Sequence, residues 1–123
     1  MAVQPYDPEN IFAKILRGEI PCDKVYEDDH VLAFNDINPQ APTHVLVIPK
    51  GAYASFDEFS AKASDAEIVA FNHAVGKIAR DLNVAEDGYR LIANTRQNGR
   101  QDVPHLHVHI IAGKQLGHML PHG

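Results

Sequence analysis

The sequence predicts an α+β fold, in which an antiparallel β-sheet of about five strands packs against one long and one short helix. Three observations lead to this class. Short apolar segments are separated by turn residues, one long segment has helical spacing, and polar and apolar residues alternate strictly over residues 105–111. Strands joined by hairpins and followed by a long helix are typical of antiparallel sheets with helices on one side.

Five short segments have the composition of β-strands. They are rich in β-branched and aromatic residues, and turn-forming residues bound them. One of them is almost continuously apolar, which indicates a strand at the centre of the sheet. In chain order the predicted strands cover residues 24–27, 31–34, 43–49, 89–93 and 105–111.

Two segments are predicted to be helical. A short helix should begin after its cap Asn10 and end near Gly18, because its apolar residues share one face. The long helix starts with a capping box formed by Ser64 and Glu67, and its apolar residues repeat at three- and four-residue spacing as far as Leu82. We expect that apolar stripe to be buried on the sheet.

The composition describes one ordinary globular domain. Of its 123 residues, 45% are hydrophobic and 22% are charged. The net charge of −5 disfavours nucleic acid and anionic membranes as partners, because both require a basic surface. The single cysteine, Cys22, can form no internal disulfide, and the sequence has no signal-peptide pattern and no apolar run of about 18 residues. We therefore expect a cytoplasmic protein.

The main functional feature is the segment HLHVHII at residues 105–111. Successive side chains of a strand point to opposite faces, so His105, His107 and His109 share one face while the apolar residues point to the other. Packing alone gives no reason for three imidazoles on one face. Either metal binding or acid–base and nucleophilic catalysis would use such an array.

Catalysis is the interpretation that we favour, with no metal or other cofactor. A His-x-His pair on a strand can chelate zinc, but His105 and His109 should lie roughly 13 Å apart along the strand, so one ion cannot take all three. The sequence also has no Cys-x-x-Cys pair. A neutral imidazole is a competent nucleophile toward phosphorus, and its neighbours can donate hydrogen bonds to phosphoryl oxygens.

Two further features accompany the histidine segment. His44 opens the apolar strand at residues 43–49, where a structural role is the simpler interpretation. The polar loop at residues 94–104 directly precedes the histidines and can bring backbone N–H groups beside them.

The sequence resembles the histidine triad (HIT) family of nucleotide hydrolases and transferases. The family signature is His-φ-His-φ-His-φ-φ, where φ is apolar, and residues 105–111 match it fully. Other segments are similar to the purine nucleoside phosphoramidase branch of the family. These are NIFAKILRGEIP at residues 10–21, YEDD at 26–29, DINPQAPTHVLVIPK at 36–50, GYR at 88–90 and GKQLG at 113–117.

The resemblance implies a single HIT domain over residues 1–123. Its core covers residues 10–117, after a loose N-terminal lead-in at residues 1–9. Residues 113–123 form a C-terminal tail without periodicity. The resemblance also implies a HIT-like fold, and a homodimer in which the sheets of two protomers join edge to edge.

The resemblance assigns roles to individual residues. His107 is the nucleophile, and its other ring nitrogen should donate to an acceptor such as a backbone carbonyl of its own strand. His109 contacts the phosphate and serves the leaving group, while His105 and His44 hold the network behind it. Asp36 takes the ribose hydroxyls. The other implied nucleotide-binding residues are Ile11, Phe12, Ile15, Phe34, Ile37, Asn94, Arg100, Gln101, Asp102 and Val108.

The implied activity is cleavage of purine nucleoside 5′-phosphoramidates through a covalent nucleotidyl-histidine, with AMP or GMP as the nucleotide. Three alternatives stay open: a dinucleoside polyphosphate hydrolase, a nucleotide-sensing interaction protein with incidental turnover, and a metal-binding module. Some relatives have Ser in place of Asp102 and Gly in place of Arg100, and many have a Trp in the tail, where this chain has none. These departures concern the choice of leaving group.

Overall fold

The computed structural model of this protein describes residues 3–121. Its strands are β1 Lys24–Glu27, β2 Val31–Asn35, β3 Thr43–Pro49, β4 Tyr89–Ile92 and β5 Val108–Ala112, and its helices are α1 Ile11–Leu16, α2 Phe56–Lys62 and α3 Asp65–Asp81. The strands form one sheet in the order β1-β2-β3-β5-β4, and all neighbouring pairs are antiparallel. Among the helices of the described range, none has the length and apolarity that a membrane crossing requires.

This architecture confirms the predicted α+β class, with β3 at the centre of the sheet and β1 and β4 at its edges. The long helix has the predicted capping box: Ser64 Oγ accepts from the N–H of Glu67 at 3.2 Å, and the Glu67 carboxylate accepts from the N–H of Ser64 at 3.0 Å. The sequence analysis missed α2. Its signal was present, because Ser55 and Glu58 have the spacing of a capping box.

Helices cover both faces of the sheet, so the expectation of helices on one side is wrong. Strands β2 and β3 carry apolar side chains on both faces, and each face therefore needs cover. On one face Val45 packs in the same core cluster as Phe71 of α3. On the other face Leu46 packs in a second cluster with Phe12 of α1.

The histidine segment enters the sheet later than predicted. β5 begins at Val108, so His105 and His107 lie in the extended stretch before it. The sheet ladder stops there because other groups take the hydrogen bonds: the N–H of Leu106 donates to the carbonyl of Tyr53 at 2.8 Å, outside the sheet. The alternation itself is confirmed, since Leu106 and Val108 are buried in the core on the α3 side.

Both ends of the described chain are attached to the domain. In the lead-in, which was expected to be loose, the Tyr6 hydroxyl contacts the His105 ring at 2.7 Å. At the other end, the guanidinium of Arg90 in β4 donates to the carbonyls of Gly117 and His118 at 2.7 and 3.4 Å. The tail is thereby directed back toward the face of the sheet that carries the histidines.

Candidate active site

The predicted catalytic histidines converge on the face of the sheet that α1 covers. His44 lies in β3 and pairs with Ile111 in the neighbouring strand β5. The ring centroids of His44 and His109 are 5.2 Å apart, and those of His109 and His107 are 5.1 Å apart. The pleat of two adjacent antiparallel strands thus places three of the four imidazoles in ring contact.

The tautomer of His107 is determined by a backbone contact. Its Nδ1 lies 2.8 Å from the carbonyl oxygen of His105. A carbonyl can only accept, so Nδ1 carries a hydrogen, and in the neutral ring Nε2 keeps its lone pair. The ring is nearly inaccessible, and the edge of Phe12 packs against it with a centroid distance of 4.9 Å. The contact of Nδ1 with a backbone carbonyl is the one predicted for His107, and it leaves Nε2 as the nitrogen that is free for a ligand.

A second series of hydrogen bonds places the ring hydrogen of His109 on Nε2, whereas that of His107 is on Nδ1. The N–H of Gln40 donates to Nδ1 of His44 at 3.0 Å, so the hydrogen of the neutral His44 ring is on Nε2. That Nε2 lies 2.9 Å from Nδ1 of His109 and donates to it. The hydrogen of the His109 ring is therefore on Nε2. Where His107 offers a lone pair, His109 offers an N–H.

Burial, reinforced by the neighbouring imidazoles of His107 and His44, lowers the pKa of His109 to about 4. The His109 ring is consequently neutral near pH 7. A neutral ring can donate its Nε2 hydrogen without first being protonated by solvent, which suits a group that contacts a phosphoryl oxygen or a departing nitrogen.

Asp36 lies beside the rings of His44 and His109. One carboxylate oxygen accepts from the N–H of Asn38 at 2.8 Å, and the other lies 3.4 Å from Nε2 of His44. Ligand atoms of Asp36, His44 and His109 are within 4.8 Å of one another, so these three residues could hold a metal ion. The hydrogen bond between the two imidazoles already accounts for this proximity without a metal.

His105 is fully buried and has no access to a ligand. Its Nε2 donates to the carbonyl of Pro49 at 2.8 Å, and its Nδ1 accepts from the Tyr6 hydroxyl. Burial lowers the pKa of His105 to about 4, so this ring is also neutral near pH 7. The structure thus places His105 behind the site, where its main-chain carbonyl holds His107.

The loop before the histidines contributes an exposed acid to the site. One carboxylate oxygen of Asp102 lies 3.3 Å from Nε2 of His107, and its side chain is 78% exposed. Gln101 faces away from this point: its amide donates to the carbonyls of Ala54 and Val103, and its oxygen accepts from the N–H of Arg96. Gln101 therefore shapes the loop, and Asp102 is the side chain that reaches His107.

An open cavity of about 800 Å³ lies beside His109. That volume is within the range of small-molecule sites. The predicted residues Asn94, Arg100 and Asp102 line it. Leu120 and Pro121 of the C-terminal tail form another part of its wall, and sequence reasoning did not single them out.

The predicted apolar residues of the nucleotide site divide into two groups. Phe12 and Phe34 are buried in edge contact, at a centroid distance of 5.6 Å, and Ile15 packs against the same cluster. Ile11 and Ile37 are exposed, at 43% and 88%. A flat hydrophobic ligand could contact the exposed Ile11 and Ile37 directly. The buried residues would support that surface from the core.

Val108 is a predicted nucleotide-binding residue whose side chain lies on the opposite face of the sheet from the histidines. It lies in the core cluster between the sheet and α3. Any contact with a nucleotide would have to come from its main chain. The alternation of the segment already predicted this direction, because Val108 lies between two histidines and successive side chains point to opposite faces.

Comparison with known proteins agrees with this geometry. Residues 17–116 match the model of the HIT domain. An uncharacterized 13.2 kDa HIT-like protein from Azospirillum brasilense is 59% identical over 118 residues, which cover 96% of this chain and 97% of the relative. The purine nucleoside phosphoramidase of Escherichia coli is 49% identical over 114 residues, covering 93% of this chain and 95% of that enzyme.

The fold is similar to solved structures as well. A HIT family hydrolase from Clostridium thermocellum superposes with a TM-score of 0.83 at 42% identity, covering 91% of this chain and 97% of that one. The family match extends over most of the chain and includes the histidine segment on which the site is built. This chain therefore belongs to the HIT family, with the five-stranded antiparallel fold of its relatives.

Proposed function

We propose that this protein hydrolyses purine nucleoside 5′-phosphoramidates, releasing a nucleoside monophosphate such as AMP or GMP and an amine. The observation that carries the proposal is that the two neighbouring rings have opposite tautomers. His107 has a lone pair on Nε2, and His109 has a hydrogen there. The activity named for the 49% identical Escherichia coli relative supports the same substrate class.

In the proposed first step, Nε2 of His107 attacks the α-phosphorus. A bond from Nε2 to phosphorus forms while the bond from phosphorus to the amine nitrogen breaks. The amine nitrogen accepts a hydrogen bond from Nε2 of His109 and leaves with a proton taken from water. Water then attacks the phosphorus of the nucleotidyl-histidine and releases its proton to solvent, while the bond from phosphorus to Nε2 breaks and restores the free His107 ring. A covalent intermediate divides one difficult displacement into two easier ones.

The position of Asp102 favours an amine over a polyphosphate as the leaving group. Its carboxylate lies 3.3 Å from the attacking nitrogen of His107. A negative charge at this distance repels an anionic leaving group and attracts a protonated amine. This argues against the dinucleoside polyphosphate alternative. Initial rates with phosphoramidates, acyl-adenylates and dinucleoside polyphosphates would decide the substrate class.

A nucleotide-sensing protein with incidental turnover is separated from an enzyme by single-turnover kinetics, because a sensor would bind AMP without accumulating an adduct. A metal-binding module would be recognised by elemental analysis of untagged protein, with metal expected at Asp36, His44 and His109.

We propose a cytoplasmic location, which suits a chain whose single cysteine is free.

We also propose that the protein is a homodimer, as the resemblance to the HIT family implies. β3 is already covered on both edges within one protomer. Instead, β4 is an open edge strand that exposes Tyr89 and Leu91. Beside it lies a mostly apolar groove of about 590 Å³ lined by α2, α3 and this edge. A second protomer would cover both.

Sedimentation at micromolar concentration should therefore give a species of twice the 13.6 kDa chain mass. Leu91→Glu should shift it toward the monomer, because the change places a charge in the groove. Val69→Glu is the matched control, since Val69 is similarly exposed but does not line the groove. A wild-type protein that sediments as a single chain would refute the dimer.

Asp36→Ala should weaken binding of AMP with little effect on folding. A carboxylate that accepts from ribose hydroxyls makes charge-assisted hydrogen bonds, together worth about 1.5–3 kcal/mol. The loss should be much smaller for 2′,3′-dideoxy-AMP in calorimetric titrations. Asp36→Asn is a useful companion, because it can still accept from the N–H of Asn38 and so separates the ribose contact from the turn. Equal losses for both ligands would remove Asp36 from the ribose site.

His107→Asn should preserve AMP binding and abolish nearly all turnover, because an amide cannot form the bond to phosphorus. His105→Asn and His109→Ala should each retain measurable activity. Intact-mass spectrometry after quenching at neutral to alkaline pH should detect one nucleoside monophosphate on the wild type and none on the His107 variant. An adduct on another histidine, or turnover near the wild-type rate in His107→Asn, would contradict this mechanism.

Deletion of residues 118–123 should change the relative rates among substrates with different amines while AMP affinity stays near wild type. The reason is that Leu120 and Pro121 line the cavity beside His109, where the leaving group would lie. Arg90→Met is a second variant, because it removes the tether to Gly117 without shortening the chain. A uniform rate loss together with weaker AMP binding would show that the tail serves the nucleotide instead.

A further inference from the structure

We propose that Tyr6 is a positioning residue of this site, which acts on the nucleophile through His105. Tyr6 belongs to the lead-in at residues 1–9, for which the sequence predicted no role. The proposal rests on the proposed function in one respect, because it takes His107 as the attacking group. The link from Tyr6 to His107 is a matter of geometry and can be measured separately.

The first step of the argument is the direction of the hydrogen bond from Tyr6. The hydroxyl oxygen of Tyr6 lies 2.7 Å from Nδ1 of His105, and the two rings meet edge to face at a centroid distance of 5.7 Å. Nε2 of His105 lies 2.8 Å from the carbonyl of Pro49, which can only accept. The hydrogen of the His105 ring is therefore on Nε2, and Tyr6 donates to Nδ1.

The second step concerns what holds His105 in place. Strand pairing begins only at Val108, so the backbone at His105 is held outside the sheet ladder, where the N–H of His105 donates to the carbonyl of Val103 at 2.9 Å. The ring is tied at one nitrogen to β3 through Pro49 and at the other to the lead-in through Tyr6. Phe12 of α1 packs edge-on against the same ring at 6.4 Å. Two hydrogen bonds and two aromatic contacts of the ring thus add to the main-chain hydrogen bonds that hold this segment.

The third step connects this anchor to the reaction. The carbonyl of His105 accepts the hydrogen bond from Nδ1 of His107 at 2.8 Å, and this bond orients the His107 ring. A small rotation of residue 105 would move its carbonyl and, with it, the direction of the Nε2 lone pair. Attack on phosphorus depends on that direction, and binding of the product nucleotide does not.

Tyr6 does not line the cavity beside His109, so it should act on the chemical step alone. Removing its hydroxyl would leave Nδ1 of a fully buried imidazole without a donor. A buried acceptor that loses its partner is costly, and the segment can avoid the cost by shifting toward water. The expected result is a less ordered His107 rather than an altered nucleotide pocket.

The test compares Tyr6→Phe with Tyr26→Phe. Both changes remove one hydrogen-bonded phenol, but Tyr26 donates to Asp28 beside the edge strand β1, far along the sheet from β5. We expect Tyr6→Phe to slow formation of the nucleotidyl-enzyme roughly tenfold, with AMP affinity near wild type. Tyr26→Phe should leave the adduct rate unchanged.

Imidazole nitrogen NMR provides a readout that does not depend on turnover. In the wild type, His105 should be protonated at Nε2 and His107 at Nδ1, and both hydrogens should exchange slowly. In Tyr6→Phe, the resonances of both rings should shift and the Nδ1 hydrogen of His107 should exchange faster. A general structural role for Tyr6 would instead lower the melting temperature and AMP affinity together with the rate.

The outcomes separate this proposal from the proposed function. If the wild type forms no adduct, the proposed reaction is wrong, and the NMR comparison alone decides the link between Tyr6 and His107. If the wild type forms the adduct and Tyr6→Phe forms it equally fast, the positioning role is refuted. An unchanged His107 Nδ1 resonance in Tyr6→Phe refutes it as well, whatever the rate.

Discussion

The hydrogen bond from Nδ1 of His107 to the carbonyl of His105 is the contact on which the site depends. It makes one nitrogen of a nearly buried ring a donor and, in the neutral ring, leaves the lone pair on the other nitrogen, which faces the Asp102 carboxylate at 3.3 Å. The hydrogen bonds around His44 and His109 produce the complementary arrangement, an N–H beside that lone pair. The two complementary nitrogens that the proposed reaction uses are thus prepared before any ligand binds.

The sheet makes this arrangement possible because it is covered on both faces. On the face that α3 covers, the apolar residues between the histidines, such as Leu106, pack in the core. This packing turns the histidine side chains toward the opposite face. The α1 side supplies Phe12, which contacts the His107 ring and excludes water from its edge. Burial then keeps His105 and His109 neutral by lowering the pKa of each to about 4.

Much of the fold and the set of histidines could be predicted from the sequence, because alternation and helical spacing are local. The start of β5 could not: Leu106 donates to Tyr53, a residue distant in sequence, where the strand pattern predicted a ladder. The ring tautomers depend on backbone atoms of Gln40 and Pro49, which no side-chain pattern reports. The contact of Tyr6 had no sequence signal, since an isolated tyrosine before a helix has many possible uses.

The balance of charge around the histidines bears on turnover as well as on binding. Neutral imidazoles form the donors, while Asp36 lies 3.4 Å from His44 and Asp102 lies 3.3 Å from His107. A nucleoside phosphoramidate carries one negative charge at phosphorus, whereas the product monophosphate carries nearly two at pH 7, because its second pKa is about 6. The nearby carboxylates repel the product more strongly than the substrate. In the proposed reaction, the acidic residues of the site therefore favour release of the nucleotide once the P–N bond is broken.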